Sequence, residues 1–240
     1  MNRKHREVLR LERELFSPES KTKIIANSHM VAREIKNYFE LEPARIVVIN
    51  NGVPSSPSIA PEQRAAFRKE FGMGEKECVV LFVGSGWKRK GLKTALLAVE
   101  KAAALDPKKA MRLWIAGKGN VHHYQFSGVK FLGPVKELSR LYAAADIFIL
   151  PTLYDPFSNA SLEALAAGLP VITSAANGCS EILDSSIHGS IVADPRDVEA
   201  FVAALHQWQG RLQDARDTEK IRHACAARGA EFKKKKNVEA

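Results

Sequence analysis

The sequence predicts an α/β protein built on a doubly wound parallel sheet. Predicted strands and helices alternate along the chain, and several strands are near-continuous apolar runs, such as Cys78–Val83 and Met111–Ala116. Such runs are typical of parallel strands that are buried on both faces. Gly84, Gly117 and Asp155 each follow closely on a predicted strand. Because ligands of these sheets bind outside the carboxyl ends of the strands, these positions predict a ligand-binding edge.

The first part of the chain predicts a small β–α–β unit. A charged helix over residues 3–16 precedes a strand over 22–26, a helix from Ser28 to residue 39 and a strand over 45–49. The Pro- and Ser-rich stretch that follows, from 53 to 58, is typical of a linker.

The remaining elements continue the alternation. Helices are predicted over 61–71, 90–104, 135–143 and 159–167 and from Asp197 onward, and strands over 78–83, 111–116, 129–131 and 146–150, with one more strand ending at Thr173. Pro151 ends the strand over 146–150, and Gly168 and Pro170 stop the helix that comes after it.

Composition and cysteine usage indicate an ordinary globular protein. A chain of 240 residues is long enough for one large or two small domains, and its hydrophobic content of 45% is unremarkable for that class. No apolar run approaches the length of a membrane span, and the charged N-terminus is not a signal peptide. The three cysteines, at Cys78, Cys179 and Cys225, lack metal-ligand spacing, which favours the reducing cytoplasm.

The charge balance bears on partners. The net charge is +9, from 36 basic and 27 acidic residues, and a basic excess suits nucleic acid, an anionic membrane surface or phosphorylated ligands. Nucleic acid is not expected, because no zinc finger, helix-turn-helix or aromatic-interleaved basic stripe is present. We expect phosphate-bearing ligands and a loose attraction to anionic lipid. The lysine run at 233–236 predicts a solvated tail.

Two carboxylates mark the first candidate site. Asp155 and Glu163 lie eight positions apart across the junction between a loop and the following helix. Ser158 is placed to cap that helix, and the free N–H groups of its first turn, at Asn159 and Ala160, predict an anion site. A phosphate held there would bring its sugar near Asp155 and its ribose near Glu163. The spacing alone fits a solvated surface turn equally well.

A second anion-binding pattern follows the strand over 78–83. Gly84 and Gly86 allow backbone N–H groups to approach an anion, and Arg89 and Lys90 supply the fork and the point charge of a pyrophosphate site. The glycines do not fit GxGxxG, and no acidic residue closes the next strand, so a nicotinamide cofactor is not expected. An exposed basic turn is the alternative interpretation.

Other positions carry weaker signals. Gly117 lies in a turn that would form a wall of a nucleotide pocket. Trp87 either lines the mouth of that pocket or packs against the core. The adjacent His122 and His123 are predicted to lie in a surface loop, because neighbouring side chains point apart and no further ligand has metal-site spacing.

These motifs resemble a known family. The stretch with Asp155 and Glu163, the segments 167–172 and 177–182, and the His-Gly pair at 188–189 resemble the acidic–x7–acidic region of retaining nucleotide-sugar glycosyltransferases with the GT-B fold. This is the group 1, or family 4, type, and the chain resembles lipopolysaccharide core glucosyltransferases within it. The resemblance runs from about residue 21 to residue 205. It departs from most of the family at Asp155, where relatives carry Glu.

The resemblance implies roles for the site residues. Arg89 and Lys90 would bind the donor diphosphate and stabilise the departing nucleotide, and Asp155 would contact sugar hydroxyls as the third catalytic residue. Glu163 would accept from the ribose, and the backbone near Val135 would meet the base, although an ordinary strand-to-helix turn is an equal alternative there. Retention in the family is ascribed to front-face attack, and no metal or other cofactor is required.

The resemblance also implies a domain division. Residues 1–52 would be a remnant of an acceptor domain, 53–60 a linker, 61–205 the donor-binding C-terminal domain, and 206–240 a C-terminal helix with a basic tail. The implied function is transfer from a UDP-glucose-like donor to a lipopolysaccharide or other glycan, with a separate acceptor domain as a partner. The alternatives are a non-catalytic nucleotide-sugar-binding protein or truncated remnant, and a UDP-GlcNAc epimerase-like protein.

Overall fold

A computed structural model describes residues 3–54, 60–74, 77–107, 110–124 and 126–232. Its strands form two sheets, one of two strands and one of six, and every strand pair in both sheets is parallel. The predicted linker over 53–60 lies largely outside the described residues, and so does the lysine run at 233–236.

Helices and strands alternate through most of the chain, as the sequence predicts. The helices are α1 (Arg3–Leu15), α2 (His29–Phe39), α3 (Pro61–Glu70), α4 (Leu92–Leu105), α5 (Leu138–Ala144), α6 (Asn159–Ala166), α7 (Val198–Arg211) and α8 (Ala215–Ala230). The strands are β1 (Ile24–Ala26), β2 (Ile46–Val48), β3 (Cys78–Val83), β4 (Met111–Ala116), β5 (Val129–Gly133), β6 (Ile147–Leu150), β7 (Val171–Ser174) and β8 (Gly189–Val192).

The large sheet confirms the doubly wound fold. Its strand order is β5-β4-β3-β6-β7-β8, so the chain runs outward from β3 to one edge and then returns to β6 to build the other half. The direction of winding therefore reverses between β3 and β6. In open α/β sheets this switch point opens a crevice at the carboxyl ends of the strands, and the loops after β3 and β6 lie there.

The core consists of the apolar strands and the helices that cover them. Phe82 of β3, Trp114 of β4 and Phe148 of β6 are fully buried. Helix α4 packs against α7, α6 against α8, and α3 against α5. Because these strands are apolar on both faces, burying them stabilises the central strands that position the switch-point loops.

The N-terminal unit is a smaller layer of β1, α2 and β2. The Ser28 side chain caps α2 by accepting from Val31 N at 3.2 Å, and the helix was predicted to start at this residue. Arg45, immediately before β2, is buried and donates to the carbonyl oxygens of Leu15 at 2.9 Å and Ser17 at 2.7 Å. This arginine fastens the end of α1 to the two-stranded sheet.

The structure differs from the sequence prediction at three elements. Strand β8 was not predicted, because its four residues include Gly189 and Ser190 and carry a weak apolar pattern. Helix α5 was predicted to start at residue 135 but starts at Leu138, because Glu137 before it has non-helical backbone angles. The helix predicted from residue 197 is two helices, α7 and α8. The division predicted after residue 205 falls inside α7.

Asp214 explains the second helix, because its side chain caps α8 by accepting from Asp217 N at 2.8 Å. In the part of the chain that the structure describes, no helix combines the length and apolarity needed to cross a membrane.

Candidate functional site

The loops after β3 and β6 are joined at the switch point. The Arg89 carbonyl accepts from Leu153 N at 2.8 Å and from the Thr152 hydroxyl at 3.1 Å. Gly91, with φ of 74°, lies so close to Pro151 that a β-carbon on it would be 1.8 Å from the Pro151 oxygen. Only glycine fits this contact. It holds the turn that carries Arg89 and Lys90, called the basic turn below, beside the loop that carries Asp155.

Arg89, Lys90 and Asp155 form one ionic cluster between these loops. Lys90 Nζ pairs with Asp155 Oδ2, and Arg89 Nη1 lies 3.5 Å from the same oxygen. The carboxylate is buried and the lysine is largely buried, with side chains 8% and 13% exposed, whereas the Arg89 side chain is 51% exposed. The cluster carries one net positive charge, and its accessible part is the guanidinium group.

The backbone on both sides of Asp155 is held by the segment after β7. Asp155 N donates to Ala176 O at 2.9 Å, and Asp155 O accepts from Gly178 N at 2.9 Å. Between them, the fully buried Asn177 accepts from Ser158 N at 3.2 Å through Oδ1 and donates to Ser161 Oγ at 3.2 Å through Nδ2. Asn177 thereby positions the loop and the start of α6 together.

The start of α6 has the features of an anion site. The Ser158 hydroxyl caps the helix by accepting from Ser161 N at 3.3 Å. Within the described chain, no acceptor is found for the N–H groups of Asn159 and Ala160. Free first-turn N–H groups and the positive end of the helix dipole favour a bound anion.

Glu163 lies one turn further along α6 and contacts Tyr142 of α5. The Tyr142 hydroxyl donates to Glu163 Oε2 at 3.0 Å and lies 3.3 Å from Ala160 O. Burial, reinforced by the Glu163 charge, raises the pKa of Tyr142 well above its ordinary value. The hydroxyl therefore remains a donor at neutral pH and orients the carboxylate.

The glycine turns after β3, β4 and β5 lie side by side at the same edge. Gly117 N donates to Gly133 O at 2.8 Å, and a β-carbon on Gly117 would lie 2.1 Å from Gly84 O. Gly86 is exposed in the loop beyond. Val135, just after β5, packs partly buried against the core, two strands away from β3 in the sheet.

Trp87 packs beneath the basic turn. It is 6% exposed, donates from Nε1 to Gly84 O at 3.0 Å, and lies against Tyr124 with ring centroids 5.6 Å apart. Of the two roles considered, the structure favours packing. His122 is exposed in a short turn. Among the described residues, no three His, Cys, Asp or Glu side chains are grouped to hold a metal ion.

Two clefts are lined by residues outside the loops that follow β3 and β6. One, of about 450 Å³, is lined by Glu181, His188 and Arg228, and the other, of about 640 Å³, by residues including Arg64 and Asp146. In the second cleft the arginine already bonds Asp146 and the Ala144 carbonyl. The open edge between β3 and β6 is the better candidate, because there a half-exposed guanidinium group and free helix N–H groups occur together.

Sequence reasoning identified Arg89, Lys90, Asp155 and Glu163, and the structure brings the first three into contact. It did not identify Tyr142 or Asn177 as site residues. The Asn-Gly pair at 177–178 was a usable signal for a tight turn. Nothing in the local sequence marks Tyr142, which reaches Glu163 across 21 positions.

The sheet order and the switch-point loops define an α/β protein of the Rossmann-like class. Comparison with known proteins makes the assignment specific. The chain belongs to the family described as group 1 glycosyl transferases, which it matches over residues 77–209.

Two relatives illustrate the match. An uncharacterized glycosyltransferase of Methanocaldococcus jannaschii is 31% identical over 190 residues, covering 73% of this chain and 48% of that protein. The lipopolysaccharide glucosyltransferase WaaG of Escherichia coli is 25% identical over 219 residues, covering 85% of this chain and 57% of WaaG. The chain thus spans about half the length of these relatives.

Solved structures confirm the fold, which is that of GT-B glycosyltransferases. The WaaG crystal structure superposes with a TM-score of 0.79 at 23% identity, covering 96% of this chain and 63% of that one. Anabaena HepE, solved in complex with UDP and glucose, gives a TM-score of 0.72 at 18% identity, covering 90% of this chain and 60% of that one.

Proposed function

We propose that this chain is the donor-binding part of a retaining glycosyltransferase that uses a UDP-glucose-like donor. The observation that carries the proposal is the cluster of Arg89, Lys90 and Asp155 beside the free N–H groups of α6. A nucleoside diphosphate needs positive charge along two phosphates and a polar site for its sugar. Both are available at this switch point.

The diphosphate would lie between the basic turn and α6. Arg89 offers a half-exposed, fork-shaped donor, and the amides of Asn159 and Ala160 would receive the phosphate nearer the sugar. As the bond from sugar to phosphate breaks, charge builds on the leaving diphosphate. Arg89 and Lys90 would stabilise that charge, an electrostatic contribution that is usually large in transfer reactions. No metal is required in this scheme.

The two acids would divide the donor between them. Glu163, oriented by Tyr142 at 3.0 Å, would accept from the ribose hydroxyls. Asp155 is buried behind Lys90, and its contact with sugar hydroxyls requires that the lysine move toward the diphosphate. Such a movement is favourable once the ligand supplies negative charge in place of the carboxylate.

The choice of donor and acceptor rests on the relatives. HepE was solved with UDP and glucose, which supports UDP-glucose, and WaaG is a lipopolysaccharide glucosyltransferase, which supports a lipopolysaccharide or similar glycan as acceptor. Relatives named D-inositol 3-phosphate glycosyltransferases show that acceptors differ within the family. We place the protein on the cytoplasmic side of the inner membrane, with weak attraction to its anionic surface.

The acceptor would be held by a further domain. The chain spans about half of its relatives, and the unit of β1, α2 and β2 is too small to form a second nucleotide-binding type of sheet. A non-catalytic nucleotide-sugar-binding protein is the alternative function. Mixing the chain with a separately produced acceptor domain and UDP-glucose distinguishes them, because restored transfer supports the enzyme.

Calorimetry tests the donor directly. UDP, GDP and ADP, each with and without its sugar, are titrated into the chain. We expect UDP and UDP-glucose to bind weakly, with a Kd of at most about 1 mM. Absence of binding by all of them overturns the donor assignment. Consumption of UDP-GlcNAc without an acceptor would favour epimerase chemistry instead.

A further inference from the structure

Glu181 makes a contact that the donor-binding scheme does not use. It lies in the short turn Gly178–Ile182, after Asn177. Its two carboxylate oxygens accept from the first backbone N–H groups of α2, from His29 at 2.8 Å and from Met30 at 2.5 Å. A residue of the donor domain therefore caps a helix of the N-terminal unit.

The contact is well suited to anchoring. The first four N–H groups of a helix have no partner within the helix, and a carboxylate there also interacts favourably with the helix dipole. The Glu181 side chain is only 19% exposed, and Arg33 of α2 approaches it at 3.7 Å. The Gly178 backbone also lies close to the Ser28 side chain, since a β-carbon on Gly178 would lie 2.6 Å from Ser28 Oγ.

Two further contacts join the same unit to the edge between β3 and β6 at which the donor is proposed to bind, called the donor edge below. The Tyr154 hydroxyl donates to Glu34 Oε2 of α2 at 2.6 Å, and Asn51 Nδ2 donates to Asn159 Oδ1 at 2.8 Å. Tyr154 precedes Asp155, and Asn159 begins α6. The N-terminal unit is thus fastened to the residues that flank the proposed diphosphate position.

Tyr154 also connects α2 with the basic turn. Its carbonyl oxygen accepts from Arg89 Nη1 at 2.6 Å, while its hydroxyl contacts Glu34. A diphosphate that draws the Arg89 guanidinium toward itself competes with this carbonyl, and the Tyr154 backbone loses a contact. The change is passed to α2 through Glu34.

We infer that Glu181 is a positioning residue that anchors the start of α2 to the donor edge, so that the N-terminal unit responds to occupancy of the diphosphate site. The inference rests on the proposed function for its ligand, whereas the anchoring itself does not. Glu181 holds one end of α2 in place, and the contact between Tyr154 and Glu34 transmits the change at Arg89. The unit that would face an acceptor is thereby tied to donor binding.

The anchoring is tested by amide hydrogen exchange without ligand. In Glu181→Ala we expect exchange at His29 and Met30 to accelerate by about 2- to 30-fold, the effect of losing a helix cap. Glu181→Gln keeps one acceptor oxygen and should lie between wild type and Glu181→Ala. The matched control is Glu199→Gln, an exposed acid on α7 that pairs with Lys101, and it should exchange as wild type does.

Unchanged exchange at His29 and Met30 in Glu181→Ala overturns the anchoring. If that variant loses protection in β3 and β6 as well, it has unfolded, and Glu181→Gln is then compared with Glu199→Gln. Faster exchange at His29 and Met30 in Glu181→Gln supports the anchor. Equal exchange in the two variants overturns it.

The coupling is tested in the same proteins with saturating UDP. We expect UDP to change exchange at His29 and Met30 in wild type and to leave them unchanged in Glu181→Ala, with Glu181→Gln partly restoring the effect. A merely structural carboxylate would lower the melting temperature without abolishing the response.

If UDP binds by calorimetry but never alters these amides, the coupling is wrong and the donor assignment stands. If UDP does not bind, the donor assignment and the coupling both fail, and the anchor is judged by the first experiment.

Discussion

Arg89 and Lys90 are neighbours in the sequence, but their surroundings give them different tasks. Lys90 is largely buried against Asp155, whereas half of the Arg89 side chain faces solvent. Breaking a buried ion pair leaves an uncompensated charge, while removing an exposed guanidinium group costs the fold little. We therefore expect replacement of Lys90 to lower both UDP binding and stability, and replacement of Arg89 to lower mainly UDP binding.

Replacing either basic residue should weaken UDP binding. Arg89→Ala and Lys90→Ala each remove a charge-assisted contact of about 1.5–3 kcal/mol, and Lys90→Ala should in addition destabilise the fold by about 3–5 kcal/mol. Calorimetry measures the first effect and denaturant unfolding the second. Lys101→Ala, which removes a lysine from an exposed pair on α4, is the control. UDP affinity equal to wild type in both variants would show that the diphosphate lies elsewhere.

Asp155 and Glu163 should affect different parts of the donor. Glu163→Ala is expected to weaken UDP and UDP-glucose alike, because the ribose is common to both. Asp155→Asn should spare UDP, since removing the carboxylate frees Lys90 for phosphate, and should weaken only the sugar-bearing donor. Paired titrations with UDP and UDP-glucose measure the difference. Equal losses for both ligands in Asp155→Asn would contradict this division.

The residues that sequence analysis found and missed differ in a physical way. Arg89, Lys90, Asp155 and Glu163 lie in local patterns whose chemistry is visible within a few positions. Tyr142, Asn177 and Glu181 act through partners that are distant in sequence, up to 152 positions away for Glu181 and His29. Only the fold brings such pairs together, so a local pattern such as the Asn-Gly pair at 177–178 indicates a turn but not these contacts.

At the scale of elements, the site depends on two loops lying in direct backbone contact. Gly91→Ala should destabilise the fold strongly, because its β-carbon would lie 1.8 Å from Pro151 O and overpacking adds to the cost of the left-handed backbone. Gly72→Ala is the matched control, with φ of 73° and nothing within 4 Å of its β-carbon, and it should lose only about 1–2 kcal/mol. Denaturant unfolding measures both, and equal losses would show that the loops can separate at little cost.

Elements with a strong local pattern were predicted well. Strands β3 and β4 were placed to the residue, because six consecutive positions in each are mostly apolar. Strand β8 was missed because hydrogen bonds to β7, not apolar side chains, define it. The break between α7 and α8 depends on the Asp214 cap, and periodicity alone did not reveal it.

At the scale of the whole molecule, Asp146 ties three arginines to the amino end of β6. Arg64 and Arg68 bond its two oxygens, and Arg222 lies 3.7 Å away. Burial alone would raise the pKa of Asp146, but the Arg64 and Arg68 charges and the Val79 N–H group outweigh it and hold the pKa below its usual range.

Because the pKa of Asp146 is lowered on folding, its stabilisation is complete above the unfolded value, near 3.8, and is lost as the pH falls through the lower folded value. We expect Asp146→Asn to destabilise the fold at neutral pH by about 3–5 kcal/mol and to flatten the loss of stability at acid pH. Urea unfolding from pH 7 to pH 3 measures both. If the free energy of unfolding of Asp146→Asn fell as steeply at acid pH as that of wild type, the stabilising role assigned to Asp146 would be contradicted.

The doubly wound sheet followed from alternation and apolar runs, and the comparisons confirm the family. The central claim is narrower, namely that the edge between β3 and β6 binds the donor diphosphate. Titrating isotope-labelled chain with UDP-glucose and following each amide by NMR tests it most directly. We predict that the largest shifts occur at Gly84, Gly86, Asn159 and Ala160. Shifts confined to the cleft around Arg64 and Asp146, with this edge unchanged, would contradict the account.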